Sequence, residues 1–88
     1  MLILVDDIKF ETEEIFFNYV DTMFPDDKIS DLDSLYKVLT DGEPDIEFIV
    51  SDFNEVKEDM KEFANSILHK LVDVKTANKN FKLTMIET

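Results

Sequence analysis

The densest chemistry in the chain lies between Phe24 and Thr40, where Asp26, Asp27, Asp31 and Asp33 precede Tyr36, Lys37 and Thr40. Carboxylates this close together could hold a divalent cation, act as an acid–base pair, or form an anionic docking surface. A Ca²⁺ loop needs Asp or Asn at alternating positions, a central Gly and a late Glu. These four Asp have neither that spacing nor the Gly. Paired carboxylates carry little information here, because 21 acids among 88 residues create pairs everywhere. With no Cys and a single Gly, the chain offers neither a thiol nucleophile nor a Gly-rich phosphate cradle. The one His, His69, follows the apolar Leu68 on a predicted helix and reads as a surface or partly buried structural residue. No catalytic residue, metal ligand or cofactor is therefore expected.

A docking surface remains. Leu32, Leu35 and Leu39 recur at helical spacing and would face inward, leaving Asp31 on the opposite side and Asp33, Tyr36 and Thr40 near the surface margin. A loop and short helix of this kind presents acids beside one large, stiff aromatic ring, a composition suited to a basic cleft. The plainer alternative is that Asp31 and Asp33 stabilise the helix N-terminus and Tyr36 packs in the core. Spacing leaves both open.

The elements that must position these residues follow from periodicity and capping. Met1–Val5 is a short apolar run of buried-strand type, and Ile8–Phe10 a loop into the next helix. Thr12 is a suitable N-cap, with Glu13 and Glu14 where the helix dipole favours negative charge. Ile15, Phe16, Tyr19, Val20, Met23 and Phe24 then form one apolar face, ended by Pro25. Ser30 is read as the cap of the second helix with Asp33 in the capping-box position, and Gly42 suits its end. Asp45–Val50 is a second strand. Helical spacing resumes from Ser51-Asp52 to Ala77 with a break expected near Met60–Phe63, Asn78 closes the helix, and Phe81–Ile86 is a last strand. The order β-α-α-β-α-α-β, with strands far beyond hairpin distance, predicts an α/β domain over residues 1–88. It should have a three-stranded parallel sheet, about four helices and right-handed connections. Three strands cannot carry helices over both faces, so the apolar surface should concentrate on one.

Charge narrows the partner. Nine Lys, no Arg and 21 acids give −12 at pH 7, and residues 1–62 alone carry 19 acids against five Lys. Such a field repels nucleic acid, whose phosphates require cations, and speeds encounter with basic proteins. No apolar run approaches the roughly 18 residues of a membrane span. A soluble, cytoplasmic monomer is expected.

Phe24-Pro25, Asp31-Leu32-Asp33-Ser34-Leu35-Tyr36, Leu39-Thr40, Pro44 with Ile46–Val50, Phe53, and Ala64 to Leu71 together carry a resemblance. The chain resembles the barstar family of small intracellular inhibitors of bacterial ribonucleases, over most of its length and least clearly in the N-terminal strand. The resemblance implies a three-stranded parallel sheet and no catalysis. It also implies a loop and second helix that plug the basic active site of a ribonuclease or nuclease toxin, as an immunity protein does. The partner-binding positions it implies are Asp27, Asp31, Asp33, Tyr36, Lys37, Thr40 and Asp73. Asp33, Thr40 and Asp73 match family residues, Tyr36 stands where Trp is usual, and Asp31 where Asn is usual. Lys37 stands where the family's best-known member carries an Asp, Ile29 replaces a loop Gly, and Asp27-Lys28 replaces two aromatics. The alternative reading is an acidic interaction module that binds a different basic partner and inhibits no ribonuclease.

Overall fold

Strand β1 (Leu2–Val5) pairs with β2 (Ile46–Ser51), and β2 with β3 (Phe81–Ile86), all parallel and in the spatial order β1-β2-β3. The computed structural model describes residues 1–41 and 45–86. Three α-helices, α1 (Glu13–Thr22), α2 (Leu32–Asp41) and α3 (Lys61–Ala77), fill the crossovers. Two successive connections of the same hand that step in one direction across a sheet place their helices on one face. Burial agrees with that expectation. Ile3, Val5, Phe48, Val50 and Phe81 are buried with Phe16, Val20, Leu35, Leu39, Ile67, Leu71 and Val74 in one core.

Among the described residues no helix lies over the other face of the sheet. Its rows, read across the strands, are Leu2, Glu47 and Lys82, then Leu4, Ile49 and Thr84, with Ser51 and Ile86 above. Leu2, Leu4 and Ile86 remain 52%, 55% and 42% exposed.

Several expected elements form with shifted details. Thr12 caps α1, accepting the Ile15 N–H at 3.0 Å, and Asn78 closes α3. The buried face of α1 carries Phe16, Phe17 and Val20, whereas Ile15 is 39% exposed. Phe17 is drawn in by ring contacts to Phe16 and Phe63 at 5.3 and 5.8 Å. Ile8–Phe10 belongs to a 3-10 turn, Asp7–Phe10, capped by the Asp6 carboxylate.

The fourth helix is corrected. Residues after β2 form two one-turn 3-10 segments, Phe53–Glu55 and Glu58–Met60, before α3 begins at Lys61. Asp52 leaves β2 with φ 53°, a left-handed conformation that Asp tolerates better than most residues. Val56 is extended, so the helical periodicity of Phe53 and Val56 serves a turn whose side chains reach the core without a continuous helix. The expected roles of Gly42 and Pro44 lie outside the described residues.

Candidate functional site

Helix α2 is held by its buried stripe, Leu35 and Leu39, with Leu32 and Tyr36 partly buried against the same core. Its start is fixed one residue later than the sequence reading placed it. Asp31, not Ser30, is the cap: its Oδ1 accepts the Ser34 N–H at 2.8 Å. Ser34 Oγ in turn accepts the N–H groups of Ser30 and Asp31 at 3.0 and 3.1 Å. This is a capping box with Ser34 in the reciprocal place assigned above to Asp33. The Ser34 N–H, then the Ser34 hydroxyl, stabilise the ionised carboxylate and hold the Asp31 pKa below its ordinary value.

The loop leading into α2 is tied from outside it. Asp21 on α1 accepts the Ile29 N–H at 2.8 Å, and Ile29 itself is buried. An apolar anchor at Ile29 and a carboxylate clamp from Asp21 thus hold this loop from two sides. Asp21 and Ile29 have no marker in the local sequence pattern, because the contact joins residues from different elements.

The seven expected partner-binding residues do not form one patch. Asp31 and Asp33 line a groove of about 970 Å³ between the start of α2, α1 and the start of α3. Its carboxylates are Glu13, Glu14, Asp21, Asp31, Asp33, Asp59 and Glu62, its one Lys is Lys28, and its apolar lining includes Phe17, Leu32, Met60 and Phe63. Phe17 and Phe63 belong to a ring cluster that continues through Phe16 and Phe10 to Phe53, so the apolar lining is backed by rigid packing. No ion pair joins these carboxylates to Lys28 among the described residues. The exposed pair Lys57–Glu11, at 3.1 Å, involves neither.

On the other flank of α2, Asp27 and Lys37 line a smaller groove of about 590 Å³ with Phe24, Lys28, Ser34, Val38, Asp41 and Ile46. Two Asp and two Lys make this groove nearly neutral. Tyr36 turns toward α3, where Lys70 Nζ lies 5.4 Å from its ring centroid. Thr40 donates its hydroxyl to the Tyr36 carbonyl at 2.8 Å, within its own helix. Asp73 is exposed on α3 and His69 is exposed beside it. Asn78 ties these helices together: its Nδ2 donates to the Leu39 carbonyl at 2.9 Å from a buried position.

Chemically, the larger groove concentrates negative charge over an aromatic lining. Among the described residues no three His, Cys, Asp or Glu side chains are grouped to hold a metal ion. No helix of the described residues is long and apolar enough to cross a membrane. No family model matches the chain, and no curated protein or solved structure matches it significantly.

Proposed function

We propose that this chain is a barstar-like inhibitor of a basic ribonuclease or nuclease toxin, acting by occlusion and without catalysis. The observation that carries the reading is the larger groove. Seven carboxylates surround a single Lys over a lining of Phe17, Met60 and Phe63. A nuclease active site gathers cations to hold phosphate, so an acidic surface attracts it, speeds encounter and fills the space the substrate needs. In this reading Asp33 contributes at the groove rim, Tyr36 and Thr40 extend the contact along α2, and Asp31 mainly holds the helix start in place.

Lys37 and Asp27 favour a re-specified target. A cation on α2 opposes a purely basic cleft but suits one that carries a compensating acid near its cations. The test is titration of the full chain against basic nucleases encoded beside its gene, followed by nuclease assays at saturation. Stoichiometric binding that abolishes cleavage supports the proposal, and binding to none of them overturns it.

A second reading, an acidic module for a non-nuclease basic protein, is favoured by the separation of Asp31 and Asp33 from Lys37 and Asp27 into two grooves. A tight complex whose partner has no nuclease activity would decide for it.

A further inference from the structure

The bare face of the sheet carries an arrangement that matches itself. We propose that a second copy of this chain docks on it, forming a weak two-fold dimer that leaves the acidic groove free. Leu4 and Ile86 are 55% and 42% exposed there. Glu47 and Lys82 are adjacent in the β2–β3 register, and Glu47 also accepts the Thr84 hydroxyl at 3.0 Å. Their opposite charges cancel, so this face is neutral on a chain of net charge −12. Two copies repel one another least where neither presents net charge.

Geometry supplies the complementarity. Strands lie about 4.8 Å apart and same-face neighbours along a strand about 6.7 Å apart, so the directions from Ile49 to Glu47 and to Lys82 differ by about 35°. A two-fold axis lying in the interface, passing over Ile49 and bisecting that angle, sets Glu47 of each copy over Lys82 of the other. The same operation crosses the two sets of strands at about 35°, close to the roughly 30° at which twisted sheets stack in alignment. For right-handed crossovers the sense also agrees. It places Leu4 of one copy against the Thr84–Ile86 end of the other and Ile49 over Ile49. One rotation thus satisfies the twist, the charge pairs and the apolar contacts together.

The patch is small. Strands of four, six and six residues span at most roughly 14 by 20 Å, below the ~800 Å² per partner of a standard stable interface. A dissociation constant between roughly 10 µM and 1 mM is expected, so the chain is a monomer when dilute.

Sedimentation velocity of the full chain over a hundredfold range of concentration, at low and high salt, tests this. The expected result is a rise from one-chain toward two-chain mass, stronger at high salt because screening reduces the net repulsion. Glu47→Lys and Lys82→Glu should each remain monomeric, since each sets like charges opposite one another. An equimolar mixture of the two variants should recover the dimer, because it restores both charge pairs. Leu4→Lys should also stay monomeric with an unchanged melting temperature, and the charge variants decide the matter if that variant misfolds. A wild-type chain that stays monomeric throughout, a dimer indifferent to these substitutions, or mixed charge variants that fail to associate would overturn the proposal.

Discussion

On the helical side of the sheet, a groove gathers seven carboxylates around an aromatic lining. On the opposite side, aliphatic side chains surround one cancelled pair of charges, Glu47 and Lys82. Both surfaces are exposed, yet they answer to different variables. The groove is proposed to bind a partner of opposite charge, so its affinity should fall as salt rises. The sheet face is proposed to bind a like-charged copy, so its affinity should rise with salt. The difference shows that −12 is not spread evenly: it is concentrated beside α1, α2 and the start of α3.

The largest expected effect separates the two faces of one strand. Phe48 is buried in the core while its neighbour Ile49 lies on the bare face. Phe48→Ala should cost about 3–5 kcal/mol and Leu35→Ala about 2–5 kcal/mol, by transfer and cavity terms together. Leu4→Ala should stay within about 0.5 kcal/mol. Urea melts check all three, and a comparable loss for Leu4→Ala would mean that the sheet is covered on both sides.

A charge substitution on α2 probes the groove side next. With a purely basic target, Lys37→Asp removes repulsion and adds attraction, so affinity should rise, with the gain shrinking as salt increases. With a target that carries a compensating acid, the same change should abolish binding, which is the outcome expected here. A single titration reads the sign. Unchanged affinity would place the interface away from the Lys37 flank.

Asp33→Ala should weaken binding of a basic partner by about two- to fivefold, mainly through slower association, with no effect on self-association. Surface plasmon resonance gives both rates. Loss of self-association in this variant would contradict the assignment of the two surfaces to two partners.

The smallest effect concerns Asp31. Its carboxyl is held below the ordinary pKa by the Ser34 N–H and hydroxyl. The ionised cap therefore contributes its full stability above the ordinary carboxylate pKa of about 3.9, and this is lost as pH falls through the lowered folded value. Asp31→Ala should lower the melting temperature modestly at neutral pH. The difference from wild type should shrink progressively below about pH 4. A difference that persists unchanged in acid would mean that the helix start does not depend on the ionised carboxylate.

Local chemistry determined much of this protein. Thr12 followed by two Glu marked the start of α1, and the Leu32–Leu39 spacing marked the buried side of α2. Asn78 marked the end of α3, and the long gaps between strands favoured parallel pairing. These features depend on neighbours a few residues apart, which a sequence displays directly. Tertiary structure decided what depends on other elements. Phe17 replaced Ile15 on the buried face of α1 because the rings of Phe16 and Phe63 lie beside it. Residues 53–60 became 3-10 turns because the left-handed Asp52 and the extended Val56 turn the chain between β2 and α3. The expected binding residues divided between two grooves and the α3 side because α2 is bordered by different elements on each flank. The continuous apolar run of β1 gave no indication of which of its side chains would be buried. Only the order β1-β2-β3, with every helix on one face, left Leu2 and Leu4 exposed while Ile3 and Val5 entered the core.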